Sequence, residues 1–594
     1  MSSMHFITIF ILILLSQITS KYTNKLSLAE QYEVEDLAYQ LTKDNGNFIK
    51  SLFDFSSVSG GMNCFVCSFA IDVLKNYLLQ KNGFEKFYAL VQEICHFTSI
   101  DNRVCDGAIE HYKDIVIDSV IKRFVNGDYI CSLINICQDT TDYETIEDFA
   151  ERVLKDKPET KPKEIVKTKN DDDYYKVLQV TDIHLDMEYK EGTVANCILP
   201  ICCRELADDD LVPVKQVFAG LYGTTGKCDA NVETVKAFAA RAKETNPDYI
   251  MFTGDNIAHS VWKVTQDEVI TATRVQIEII QKEFGMDTPI YPAIGNHEKA
   301  PVDEFHGEET ELLEGLAEIF RPYLTDDAYE TFRKYGYYTM LVKNNLRIIS
   351  LNCLLCDSFN WNLLYDSEQP RQMFKWLEKV LSEAEKNGEI VHIMEHIPLE
   401  STQHTIQCTG RLKILIDRYQ NIIRGLFSGH SHSEYLSMVH EYYTPEKASQ
   451  INYICSGLTT YSSYQPSFRV YLVDKKELYV QDFIQYRMNL VESNEQRTPI
   501  WFIPYQATEL FGVDSMNDVE TISQYKITPE YVQHRSTDIP GSEESSHNPN
   551  TIYNAQCQFD NDNMEDIFNC TGYSVLSEGY FYYILNQLQT KWLK

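Results

Sequence analysis

Past its opening fifteen residues the chain has no apolar run of the ~18 residues that a membrane-spanning helix needs, so no transmembrane anchor is expected. Basic residues are scarce beside acidic ones: 53 Lys and Arg stand against 87 Asp and Glu, a formal net charge of -34. That balance excludes phosphate-backbone binding as the main activity, and no nucleic-acid partner is expected. In an acidic compartment many of these carboxylates would neutralise, and self-repulsion would fall. The chain also lacks internal repeats and long low-complexity tracts. Aromatic residues make up 12% of it, so it reads as globular rather than disordered. At 594 residues it is too long for one core, and several domains are expected.

The one strongly apolar run, Phe6 to Leu15, is too short to span a bilayer. Small and polar residues follow it to Ser20. Residues 1–20 read as a cleaved secretory signal, although the start carries no Lys or Arg. In the oxidising compartment this implies, the sixteen cysteines make sense as disulfide partners. Asn569-Cys570-Thr571 is a glycosylation acceptor that fits the same route.

Residues 60–141 hold Cys64, Cys67, Cys95, Cys105, Cys131 and Cys137 between helical patterns such as FAIDVLKNYLLQ and IEHYKDIVIDSVIKRF. Within this segment no second CxxC answers Cys64-x-x-Cys67, so a disulfide framework is favoured over a zinc or redox site. Residues 142–173, with ERVLKDKPETKPKEIVKTKNDDD over 151–173, read as a Pro- and Lys-rich linker. From 174 to 480 short apolar strands alternate with amphipathic helices, which predicts an α/β sandwich of two packed sheets flanked by helices. Residues 481–594 are expected to be mostly helical, with Cys557 and Cys570 placed for a local bridge.

The chemistry sits where apolar runs stop. VLQV ends in Thr181-Asp182-Ile183-His184, YIMF in Gly254-Asp255-Asn256, and IYPAI in Gly295-Asn296-His297-Glu298. VHIM ends in Glu395-His396-Ile397-Pro398, and GLF precedes Gly429-His430-Ser431-His432. Strand-end loops are where α/β folds keep their sites. A strand alternates its faces, so Asp182 and His184 are expected to point the same way. The oxygen and imidazole groups of Asp182, His184, Asp255, Asn296, His396, His430 and His432 suit a pair of cations sharing one carboxylate.

The order D-x-H, G-D-N, G-N-H-E, H, G-H-x-H resembles the calcineurin-like metallophosphoesterases. The surrounding YKEGTVANCILPICCR, Cys228-Asp229, TGDNIAHSVW and SGLTTYSSYQPSFRVY narrow the resemblance to the acid sphingomyelinase family. The six upstream cysteines resemble a saposin-B domain, a small helical bundle that engages lipid. The resemblance implies that Asp182, His184 and His432 hold one zinc ion, that Asn296, His396 and His430 hold a second, and that Asp255 bridges them. It implies bridges Cys64–Cys137, Cys67–Cys131, Cys95–Cys105, Cys197–Cys202, Cys203–Cys228 and Cys356–Cys408. Cys353 and Cys455 are left over, either paired together or free.

The implied reaction is hydrolysis of sphingomyelin to ceramide and phosphocholine by a hydroxide held between two metal ions. His297 is the candidate general acid and His259 the candidate phosphate contact, each as an imidazolium in acid. Sphingomyelin in membranes or lipoproteins is the expected partner, with the saposin-like segment at the lipid surface. The protein is expected to be monomeric and secreted or lysosomal. The alternatives are a phosphodiesterase of soluble nucleotides and a non-catalytic lipid-binding protein. One departure stands out. The family usually has Gly before the third-strand histidine and two prolines after the Ile, whereas this chain has Glu395 and Pro398-Leu399. Glu395 either alters metal affinity or points to solvent.

Overall fold

The computed structural model of the protein describes residues 81–96, 100–117, 144–161, 171–207, 213–307, 310–343, 345–364, 366, 368–535, 546–562 and 564–571, with a few single positions between 72 and 121. The expected signal at 1–20, Cys64, Cys67, Cys131, Cys137 and most of the saposin-like segment lie outside the described residues. The chain divides into two units. One is Met1–Glu93 with Lys113–Asp142, and the other is Ile94–Tyr112 with Tyr143–Lys594. Of the first unit, most of the helix Lys81–His96 and the end of the helix Asn102–Ile115 are described. Cys95 is bonded to Cys105.

The second unit carries two six-stranded mixed sheets. In the first, the order is β12 (Trp501–Phe502), β11 (Val480–Met488), β10 (Ser467–Asp474), β1 (Tyr174–Val180), β2 (Tyr249–Phe252), β3 (Ile290–Pro292). In the second it is β4 (Tyr338–Lys343), β5 (Leu346–Ser350), β6 (Ile390–Met394), β7 (Ile423–Ser428), β9 (Ala448–Ile454), β8 (Tyr435–His440). β1, β2 and β3 run parallel, as do β5, β6, β7 and β9. Every residue of β2 and β3 is buried, as parallel strands covered on both faces require. The sheets meet through aromatic side chains: Phe427 of β7 lies 5.0 Å from Tyr471 of β10, and Tyr453 of β9 lies 6.1 Å from Phe483 of β11. Gln179 of β1 also donates its side-chain amide to the Ser428 carbonyl at 3.1 Å.

The helix Val232–Lys243 connects β1 to β2, and Gln266–Phe284 connects β2 to β3. Each begins with a reciprocal cap, from Asn231 and Thr265 respectively. Parallel pairing puts the C-termini of β1, β2 and β3 at one edge of their sheet, and those of β5, β6, β7 and β9 at one edge of theirs.

Two sequence expectations need correcting. The stretch read as linker opens with a helix, Ile146–Leu154, capped by Thr145 and burying Phe149, Ala150 and Val153 in the main core. The Lys- and Pro-rich residues that follow hid it. The expected boundary at 480 falls at the start of β11, which pairs antiparallel with β10 and carries the sheet on to β12. Among the described residues helices follow that edge strand, including Pro549–Asp560 and Met564–Thr571, which Cys557–Cys570 links. Asn569 lies on the last of these. Bonds also join Cys197–Cys202, Cys203–Cys228 and Cys356–Cys408, while Cys353 and Cys455 are free and buried. Among the described residues no helix is long and apolar enough to cross a membrane.

Candidate metal centre and cleft

The loops after β1 and β2 stay paired beyond their strands. Asp182 donates its N–H to the Gly254 carbonyl at 2.9 Å, and His184 to that of Asp255 at 2.9 Å. The backbone does not keep the extended alternation expected from the sequence. Asp182 and His184 both turn left-handed, at φ 47° and 46°, as do Asp255, His430 and His432. Side chains with a Cβ visit that region at a cost of about 1–3 kcal/mol, unless surroundings over-determine it. The surroundings here are other loops at van der Waals distance. A Cβ on Gly295 would stand 2.3 Å from Asp255 Oδ1, and one on Gly429 would stand 2.1 Å from Thr181 Oγ1. Only glycine admits approaches this close.

The seven expected ligands converge, all but His430 buried. His184 Nε2 lies 3.1 Å from His432 Nε2 and 3.4 Å from Asp255 Oδ2, and Asp182 Oδ1 lies 3.6 Å from His432 Nε2. On the other side, His396 Nε2 lies 3.0 Å from Asp255 Oδ2, and Asn296 Oδ1 lies 3.1 Å from His430 Nδ1. His396 Nε2 is also 3.8 Å from Asp182 Oδ1. The two groups share Asp255.

This donor set fits a pair of cations. Asp182 Oδ1 and His396 Nε2 are buried with no hydrogen-bond partner. Two imidazoles are locked by their other nitrogen: His184 Nδ1 donates to the Ile257 carbonyl at 2.8 Å and His396 Nδ1 to that of Thr253 at 2.6 Å. That tautomer leaves Nε2 free to ligate. Negative charge is also crowded. Burial pushes the Asp182 carboxyl up to about 6, and burial with the neighbouring Asp255 pushes Glu298 up to about 7. Cations would relieve both.

Glu298 had no assigned role in the sequence. Its Oε2 accepts from the N–H groups of Asp255 at 2.9 Å and Gly295 at 2.6 Å, and its Oε1 from Asn256 at 2.7 Å. One carboxylate thus ties the loop after β2 to the loop after β3. Glu298→Ala strands three buried donors and is expected to cost about 3 kcal/mol or more. The measurement is thermal unfolding of the metal-loaded protein, alongside bound metal per chain. A transition unmoved from that of the parent would remove the clamp.

His259 and His297 lie beside the ligands. His259 stacks between His184, at 3.9 Å, and Tyr461, at 4.1 Å. Its Nδ1 donates to Asp229 Oδ1 at 2.8 Å, and its backbone N–H to Asp229 Oδ2 at 2.8 Å. Burial works against the Asp229 charge, but His259 holds the carboxyl down at about 2. His297 donates its backbone N–H to Asp255 Oδ1 at 2.9 Å, and its ring Nδ1 is buried without a partner. Burial lowers the pKa of both rings, and that of His297 well below the usual 6.5. Burial thus works against an imidazolium at either position. An anionic phosphate arriving there works in the opposite direction.

A cleft of about 450 Å³ opens over these groups, with Tyr112, Trp262, Phe359 and Tyr461 in its walls. Asp303, also in the lining, accepts from Asn296 Nδ2 at 2.8 Å and so directs the Asn296 oxygen away from itself. Sequence reasoning missed Asp303, because nothing about PVDEF marks it. Glu395 is buried as well. It is 5% exposed, and its Oε1 lies 3.4 Å from His404 Nε2, whose Nδ1 meets Thr409 Oγ1 at 2.8 Å. The side chain therefore does not point to solvent.

Residues 175–434 match the calcineurin-like phosphoesterase family, and residues 447–540 match the acid sphingomyelin phosphodiesterase C-terminal region. Sphingomyelin phosphodiesterase A of Dictyostelium discoideum is 29% identical over 484 residues, covering 77% of this chain and 81% of that protein. Sphingomyelin phosphodiesterase 1 of Caenorhabditis elegans is 30% identical over 436 residues, covering 70% and 75%. The Bos taurus sphingomyelin phosphodiesterase is 34% identical over 352 residues, covering 57% and 55%. With both catalytic and C-terminal regions matched, and a relative matched over three quarters of its length, the chain belongs to the acid sphingomyelinase family of calcineurin-like phosphoesterases.

Proposed function

We propose that the protein hydrolyses sphingomyelin to ceramide and phosphocholine at a membrane or lipoprotein surface, as a secreted or lysosomal monomer. The observation that carries this reading is the two ligand groups meeting at Asp255 beneath an aromatic-walled cleft. The relatives' names supply the substrate class.

Zinc is the proposed metal, since the imidazole-rich set suits it. Asp182, His184 and His432 would hold one ion, Asn296, His396 and His430 the other, with Asp255 between. Two such ions, when bound, polarise the phosphate and lower the pKa of water from 15.7 towards about 7.

The remaining work falls to the chain's own groups. Asp229 fixes the tautomer and the orientation of the His259 ring, which is placed to contact a phosphate oxygen. His297 lines the cleft and delivers a proton to the ceramide oxygen as the phosphorus–oxygen bond breaks. A water oxygen becomes the new oxygen of phosphocholine. The aromatic walls keep bulk water from the reacting groups. The saposin-like segment, 60–141, is proposed to engage the lipid surface.

The test is phosphocholine release from sphingomyelin vesicles at about pH 5 and about pH 7, with zinc and after chelation, beside a soluble nucleotide diester. Zinc-dependent release favouring acid is expected. Cleavage of the nucleotide with none of the lipid would overturn the substrate assignment.

A further inference from the structure

Six of the seven candidate ligands end in groups that can bind a cation at either polar atom: both carboxylate oxygens of an Asp, and either ring nitrogen of a His. Asn296 is different. Its amide ends in one oxygen and one NH2 group, and only the oxygen ligates. The two ends have nearly the same shape, so packing alone leaves the amide free to turn. Whether Asn296 can serve the second ion therefore depends on a hydrogen bond that tells its two ends apart.

Asp303 supplies that bond. Asn296 Nδ2 donates to Asp303 Oδ1 at 2.8 Å, and Asn296 Oδ1 then lies 3.1 Å from His430 Nδ1, on the ligand side. A second N–H converges on the same Asp303 oxygen, from Gln403 Nε2 at 3.0 Å. With two donors on it, Oδ1 has no place for a proton of its own, so it is an acceptor whether or not the other oxygen carries one. Were the Asn296 amide reversed, its oxygen would face that acceptor and its NH2 group would face the ligands. The chain braces Asp303 for this contact. Its backbone N–H donates to the Asn296 carbonyl at 3.1 Å. Gln403, on the loop between β6 and the helix Ile406–Arg418, also donates to Asp357 Oδ2 at 3.2 Å. Ser358 donates its N–H to the Gln403 carbonyl at 2.7 Å, and Cys356–Cys408 ties the same two segments together. Asp303 itself stands at φ 69°, a left-handed torsion that glycine adopts freely and that Asp and Asn tolerate.

We propose that Asp303 is a positioning residue for the second ion: by accepting from Asn296 Nδ2 it turns the amide oxygen to the ligand side, and Gln403 keeps the accepting oxygen in place. The proposal rests on the two-ion reading above, in which Asn296, His396 and His430 hold that ion. What it requires of residue 303 is an acceptor at one point, not a charge.

Two substitutions test this, and both suit the left-handed backbone. Asp303→Gly deletes the acceptor, whereas Asp303→Asn keeps a carbonyl oxygen that can take both N–H groups. The full chain is stripped of metal and titrated with zinc against a competing chelator, and the two affinities are compared with the parent's. Asp303→Gly should weaken one of them by about tenfold or more and leave the other within about threefold. Asp303→Asn should hold both within about threefold. Parent affinities at both sites in Asp303→Gly overturn the proposal. A loss in Asp303→Asn as large as that in Asp303→Gly overturns it too, because charge would then be the property that matters. So does an equal fall at both sites, which would make the residue part of the fold rather than a guide for Asn296. A parent that binds only one ion overturns the two-ion reading, and the proposal with it.

Discussion

Replacing Asp255 by Asn is expected to lower diester hydrolysis by at least about 1,000-fold and to empty most of the metal centre. The expectation comes from the position of one oxygen. Asp255 Oδ2 is within 3.4 Å of His184 Nε2 and 3.0 Å of His396 Nε2, and so faces both ligand groups. Asn offers one carbonyl oxygen and two hydrogens in place of a shared carboxylate. With the amide nitrogen in the Oδ2 place both groups meet an N–H; with the carbonyl there, the His297 N–H loses its acceptor and the centre loses the negative charge the two ions share. The fold should survive, because the backbone carbonyl and N–H of residue 255 keep their bonds to His184 and Glu298. Metal per chain by elemental analysis and turnover of a soluble diester should fall together, with thermal unfolding still cooperative. Two metals retained with near-parent turnover would show that Asp255 is not the shared ligand.

His297→Ala is expected to lower turnover by about 100- to 10,000-fold while leaving metal content at the parent level. The separation is expected because His297 is not in the assigned ligand set, although its ring packs edge-on against His184 at 4.7 Å and falls within ligating reach of Asp255. Its backbone N–H to Asp255 Oδ1 is retained by alanine. The sign of the pH effect follows from burial, which lowers the imidazole pKa and makes its proton easier to lose. A ring that must carry a proton to the leaving oxygen is then depleted as pH rises, so parent activity should decline towards neutral pH. The alanine variant should lose that decline, since no imidazole remains there to titrate. A leaving group that needs no proton, such as nitrophenolate, should restore much of the variant's rate. If metal is lost together with activity, His297 is a structural residue and the leaving-group assignment fails.

The candidate site was unusually legible in the sequence, and the reason is topological. Each ligand follows an apolar run directly, and parallel strands bring such ends to one edge. Asp182, Asp255 and His396 could therefore be placed together before any distance was known. The groups that support them were hidden because their partners are distant in the chain or lie in the backbone. Glu298 grips three peptide N–H groups, two of them over forty residues away. Asp229 reaches His259 across thirty residues. Nothing in a one-dimensional pattern marks either pairing. The helix Ile146–Leu154 was lost for another reason. Its apolar face is short, and the charged residues after it dominate the composition of the window. The edge at β11 was misplaced because its Gln481, Asp482 and Gln485 look like surface residues, yet they are buried.

The left-handed backbone at five of the seven candidate ligands gives the chain a particular relation to mutation. At Asp182, His184, Asp255, His430 and His432 the residue that best suits the local backbone is glycine, and the residue present is one that can ligate. Preference for a relaxed chain and preference for a working centre thus point in opposite directions at the same codons. Drift at these positions would relax the backbone torsion but would strand buried partners, such as the His430 and His297 N–H groups that Asp182 and Asp255 accept. Each of the five side chains thus holds its place against a torsion that ordinarily suits glycine.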